Sequence, residues 1–238
     1  MTTIGIIGGI GPESTIDYYR LLLAAQAART PDRAASILIN SIDFHHMIAM
    51  ITANQFAEMT DYLVAQIDHL ARGGADVALI AANTPHLVFD AVRERAALPL
   101  VSIVEATCDA VRQRGFQRVA LFGTRFTMEA TFYPAVFTRA GVELVIPNAD
   151  ERSFIHNAYM NELVNGIFKP ETHDRLLAIV DAIRARDPID AVILGGTELP
   201  LILREQEHDG IALLDTTRIH VDAVMAFTAS ARGEERPS

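Results

Sequence analysis

The feature that most constrains this chain is a regular alternation of short apolar, β-branched runs with longer segments of helical period. TTIGIIGG is followed by PESTIDYYRLLLAAQAAR, whose apolar spacing at Ile16, Tyr19, Leu22 and Leu23 predicts a helix. ASILINSIDF, FAEMTDYLVAQIDHLARGG and ADVALIAANT continue as strand, helix and strand, and PHLVFDAVRERA then leads as a helix into a fourth strand, LPLVSI. The rhythm restarts at VEATCDAVRQRG and runs through the strands FQRVALFGT, VELVIP, DAVILGGT and IALLDTT, with helices between them and RIHVDAVMAFTAS last. Parallel strands need a crossover between them, and helices supply it, so this order predicts an α/β protein with parallel sheets flanked by helices.

Composition narrows what such a fold can do. The chain has 238 residues, half of them hydrophobic, which is enough for a sizeable core in one large domain or two small ones. No run is long and apolar enough for a membrane span, and MTTIGIIGG lacks the basic start of a signal peptide, so a cytoplasmic protein without membrane partners is expected. A single cysteine, Cys108, precludes an intramolecular disulfide and a thiolate metal site. The formal charge of -10 without a basic block argues against nucleic acid as a partner.

Two strand ends stand out. LIAANTP and ILGGTELP both run from buried residues into small ones and then set down a threonine and a proline, a faint internal echo. In parallel α/β sheets, ligands bind beyond the carboxyl ends of strands. Gly8, Gly9 and Gly11 follow the first strand and open a helix, but IGGIGP lacks the dinucleotide spacing and Pro12 removes a donor. A carboxylate-binding turn and a tight turn of purely structural use both fit.

GIIGGIGPESTIDYYR from Gly5, ANTPH from Ala82, LFGTRFTME from Leu121 and ILGGTELPLIL from Ile193, together with LLDTTRIH, resemble the aspartate/glutamate racemase family, the cofactor-independent amino-acid racemases. The resemblance implies two pseudo-symmetric lobes, each with a four-stranded parallel sheet, and an active site between them. It places residues 1–99 and 213–238 in the first lobe and 100–212 in the second. It also implies a homodimer, no cofactor, and a small carboxylate or amino acid as ligand. The family's usual chemistry takes the α-proton from one face and returns one on the other with two cysteines, each standing just before a polar pair. Here Ala82 and Gly196 hold those positions. Neither side chain carries a proton, so the two-thiol mechanism is excluded.

The resemblance and the strand-end positions together nominate Gly9, Ile10, Asn83, Thr84, Thr124, Thr127, Lys169, Thr197 and Glu198 as substrate-binding residues, and Thr84, His86 and Glu198 as catalytic candidates. Asn83 has a second reading as a helix cap, Thr124 as an N-cap, and Lys169 as a solvated surface residue. His86 and His220 each have a second reading as buried, hydrogen-bonded residues. His45 and His46, placed on a strand, would point to opposite faces and could not share an ion; no metal site is expected. Cys108 reads as a packed helical cysteine. Three functions remain open: an isomerase moving its proton without thiols, a carbanion enzyme such as a decarboxylase or lyase needing one donor, and a carboxylate-binding protein without turnover.

Overall fold

The computed structural model describes residues 2–234. The elements are β1 (Thr3–Gly8), α1 (Pro12–Arg29), β2 (Ser36–Ser41), α2 (Phe44–Thr52), α3 (Phe56–Arg72), β3 (Val77–Ile80), α4 (Phe89–Arg95), α5 (Ile103–Gln113), β4 (Arg118–Gly123), α6 (Arg125–Glu129), α7 (Phe132–Arg139), β5 (Glu143–Val145), α8 (Ala149–Asn161), α9 (Pro170–Arg186), β6 (Ala191–Gly195), α10 (Leu199–Ile202), β7 (Glu207–His208), β8 (Ile211–Asp215) and α11 (Thr216–Glu234). Two short 3-10 turns, Thr84–Val88 and Leu163–Asn165, complete the order. The chain divides into two compact units, Met1–Ile103 with His220–Ser238, and Val104–Ile219.

The first unit is built on a parallel sheet ordered β2-β1-β3. Its core joins Ile4 and Ile6 of β1, Val77 and Leu79 of β3, Tyr18 and Leu22 of α1, and Val221, Val224 and Met225 of α11. The fourth strand expected at LPLVSI is reduced to one parallel bridge between Ala78 and Leu100. Pro99 has no N–H to offer a ladder, so only its carbonyl, which accepts from Ala78, and the Val101 N–H join this edge. The apolar face assigned to α1 is corrected in part: Leu22 is buried as expected, but Ile16 and Tyr19 are 44% and 43% exposed, and Ser14, Thr15, Tyr18 and Gln26 are buried in their stead.

A second correction concerns His45 and His46. They lie in the first turn of α2, not on a strand, because Asp43 caps that helix by accepting hydrogen bonds from both their backbone N–H groups. Replacing Asp43 with alanine orphans both donors, and we expect a loss of about 1 kcal/mol in a denaturant titration. An unchanged midpoint would mean that water satisfies that helix end equally well.

The second unit carries a sheet ordered β5-β4-β6-β8-β7. Four of its strands are parallel, as expected, and β7 adds an antiparallel edge through the turn at Asp209 and Gly210, both with positive φ. Because β8 pairs with β6, residues 213–219 belong to this unit and not to the first. Central strands β4 and β6 are almost wholly buried, as strands covered by helices on both faces must be. Helix α8 opens with a reciprocal capping box between Asn148 and Glu151, and Glu151 also takes a two-pronged ion pair from Arg186 of α9. The guanidinium bonds, then the helix-end N–H, hold the Glu151 carboxyl below its ordinary range despite its burial. No helix among the described residues is long and apolar enough to cross a membrane.

Candidate active site

In the first unit the nominated residues gather at the carboxyl ends of β1 and β3. Gly9 turns the chain with φ +85°, and a Cβ there would strike the Ile42 carbonyl oxygen and stand 2.7 Å from Ser41 Oγ. Only glycine fits that position. Its N–H donates to Thr15 Oγ1 at 2.8 Å, so Thr15 closes the turn back onto α1. Ile10 is buried beside it, and Gly11 precedes α1 without any side-chain cap. The N–H groups that open this 18-residue helix are the donors a carboxylate would meet.

β3 ends at Ile80 and continues through Ala81 and Ala82 to Asn83 and Thr84, all of them buried. The Asn83 side chain makes no capping bond to the turn that follows, which removes the capping reading. His86 sits one turn on, and both its ring nitrogens are engaged by the backbone. Nδ1 donates to the Ala82 carbonyl at 3.1 Å, and Nε2 accepts from the Ile103 N–H at 3.3 Å. Burial, then the neighbouring His220, lower its pKa to about 3. A neutral ring with no open nitrogen cannot shuttle protons at neutral pH, so His86 is withdrawn as a catalytic candidate. His220 is a second such ring. Its Nε2 donates to the Val101 carbonyl at 2.9 Å, its Nδ1 accepts from Tyr18 at 2.7 Å, and burial lowers its pKa to about 4. These two histidines stitch α1, α11 and the segment before α5 into one core.

In the second unit β6 ends in Gly195 and Gly196, with Thr197 and Glu198 buried behind them. The Glu198 carboxylate accepts from Thr197 Oγ1 at 3.1 Å and from the hydroxyl of Tyr159 on α8. Burial, and next the Glu198 charge, raise the Tyr159 pKa well above its ordinary value, so the phenol holds its proton. Tyr159 is the site residue that sequence reasoning missed, since nothing in NAYMN distinguishes it from a packed helical tyrosine. β8 lies beside β6 with Asp215 opposite Leu194, which brings Thr216 and Thr217 to the same end of the sheet. Thr216 donates to the Leu194 carbonyl at 2.7 Å, whereas the buried Thr217 hydroxyl has no hydrogen-bond partner.

The remaining nominees are engaged locally. Thr124 caps α6, its Oγ1 accepting from the Thr127 N–H at 3.2 Å and lying 3.2 Å from Thr127 Oγ1. The N-cap reading is therefore realised. Lys169 precedes α9 and donates to Glu162 Oε1 at 3.0 Å, and Glu162 also accepts from Thr172. Those two hydrogen bonds, Thr172 first, lower the Glu162 carboxyl. Cys108 is buried in α5, where desolvation raises its thiol, as for a packed cysteine. Asp181, His208 and Asp209 lie together at the surface, with Asp181 holding His208 and Asp209 facing Arg184.

Comparisons with known proteins bear on the family and the fold. The family model described as Asp/Glu/Hydantoin racemase matches residues 7–224. The broad specificity amino-acid racemase RacX of Bacillus subtilis (strain 168) is 23% identical over 231 residues, covering 90% of this chain and 92% of that protein. A crystal structure of a candidate Asp/Glu racemase from Yersinia pestis superimposes with a TM-score of 0.86 at 30% identity, over 96% of this chain and all of the other. An aspartate racemase homologue from Pyrococcus horikoshii OT3 gives a TM-score of 0.81 at 32% identity with the same coverage, 96% and 100%. With its model matched over most of the sequence, and the fold shared with a structure 30% identical, this chain belongs to the Asp/Glu/Hydantoin racemase family.

Proposed function

We propose that this protein binds a small carboxylate or amino acid and acts on it as an isomerase without pyridoxal phosphate and without thiols, the strand-end residues of each unit being the candidates for that work. The observation that carries the reading is the pairing of retained polar residues with lost thiols. By the resemblance of the sequence motifs, Asn83, Thr84, Thr197 and Glu198 match the family's polar residues, while Ala82 and Gly196 fall where its two cysteines would stand. Side-chain amide, hydroxyls and the N–H groups opening α1 suit a carboxylate, and Glu198 suits an ammonium group. Thr217 adds a buried hydroxyl with a hydrogen bond to give. Thr84 has no side chain able to serve as a strong base, which leaves Glu198 as the one ionisable catalytic candidate.

A thiolate is tunable to neutral pH, and its loss at both positions removes the ordinary route to α-proton abstraction. We therefore expect L-aspartate and D-aspartate to raise the melting temperature of the purified protein, while exchange of their α-proton in deuterated water stays at least about 100-fold slower than it would be with a positioned acid–base pair. Proton NMR measures the exchange directly. Fast deuteration of either enantiomer would overturn that expectation and show that other groups do the work of the thiols on an ordinary amino acid, and no thermal shift with aspartate, glutamate or malonate would sink the binding reading.

The same substitutions favour a second reading, a carbanion enzyme that loses carbon dioxide from its substrate and then needs only one proton donor. Release of carbon dioxide from methylmalonate would support it, and binding of that acid without release would leave a carboxylate-binding protein. We further propose a cytoplasmic homodimer, a state that sedimentation velocity reads directly.

A further inference from the structure

Gly196 is not merely a position that lost a thiol. A Cβ built on it would overlap Cε2 of Tyr159 and stand 3.1 Å from both Cδ2 and Cζ of the same ring. The backbone there needs no glycine for its own conformation, since Gly196 is not among the positive-φ glycines. The space, and not the dihedral angle, requires the missing side chain. The ring is fixed in turn, because Tyr159 is buried on α8 and its hydroxyl is tied to Glu198.

We infer that Tyr159 is the residue that decides which chemistry is available at the end of β6: its ring stands where a side chain at 196 would stand, and its phenol replaces a thiol there. This deepens the function proposed above and rests on it for the substrate class. A phenol that keeps its proton leaves Glu198 as the only ionisable base among Gly196, Thr197, Glu198 and Tyr159. The ring and a thiol at 196 cannot both hold their places without the ring leaving Glu198.

The test is a double-mutant cycle in the full chain with Gly196→Cys, Tyr159→Ser and the two combined, read as melting temperatures. We expect Gly196→Cys alone to lower the melting temperature by several degrees, and the same change to cost little when Tyr159 is already serine. Gly196→Ala supplies a milder member of the cycle if the cysteine variant does not fold. A thiol reagent should label the double variant rapidly at one site, because Cys108 is buried. Additive effects, or Gly196→Cys as stable as the parent, overturn the inference. A functional arm adds Ala82→Cys to the double variant and measures α-proton exchange of aspartate in deuterated water. We expect exchange at least 100-fold faster than in Ala82→Cys/Gly196→Cys with Tyr159 kept, and equal rates in the two also overturn it. If the cycle is strongly non-additive but the triple variant shows no thermal shift with aspartate, the ring-for-thiol replacement stands and the amino-acid reading fails.

Discussion

Shifting the protein from pH 7 to pH 5 should lower its unfolding free energy by about 4 kcal/mol through His86 and His220 alone. Both rings are buried and neutral, with pKa values moved from 6.5 to about 3 and about 4, in each case chiefly by desolvation. The sign follows from the direction of the shift. An unfolded histidine takes a proton near pH 6.5, whereas the folded one resists until pH 4 or below. The stabilisation is therefore complete above the unfolded pKa and is lost as pH falls through that window. Each ring loses about 2 kcal/mol by pH 5, a large part of the 5–15 kcal/mol typical of a domain. His156, also lowered by burial and then Arg125, acts in the same direction. His173, raised by Asp174 and Glu205, acts in the opposite one, but it is close to solvent and its share is small. Urea midpoints at the two pH values test this, and His220→Gln should flatten the dependence by about half. A midpoint that does not move would show that these rings reach water in the folded chain.

The second large effect is expected at Gly9. Alanine there must adopt φ +85°, which costs about 1–3 kcal/mol, and its methyl group must also displace the Ile42 carbonyl or Ser41. Overpacking against backbone adds about 1–3 kcal/mol more. Gly9→Ala should thus destabilise the chain by about 2–6 kcal/mol in urea titrations. It should also weaken the binding of carboxylates, since the turn carries α1's first N–H groups. Gly74→Ala makes a useful contrast, because φ is +92° there but no atom lies within 4 Å of the added carbon. A Gly9 variant no less stable than the Gly74 variant would show that the turn yields, and that crowding by Ile42 is not what reserves the place for glycine.

Much of this was written in the residues themselves. Buried strands such as VALI and AVILG, set between helical segments, mark the α/β class without ambiguity, because each signal is local and repeats. That positions 82 and 196 carry no thiol is read from residue identity alone. Helix α2 is not legible in the sequence because its Asp43 cap follows directly on a strand-like run, and the buried face of α1 departs from its apolar spacing because Tyr18 and Gln26 are buried through tertiary contacts.

The order of elements and the absence of thiols at 82 and 196 were thus determined by the sequence, since both depend on residue type and near-neighbour spacing. Only the folded chain decided what the remaining groups can do. His86 lost its catalytic reading because Ile103, seventeen residues on, occupies its second nitrogen. Gly196 gained its meaning because α8 delivers Tyr159 from thirty-seven positions away. Proton affinity and steric room are set by whatever packs against a group, and that is a property of three-dimensional neighbours that no one-dimensional pattern carries.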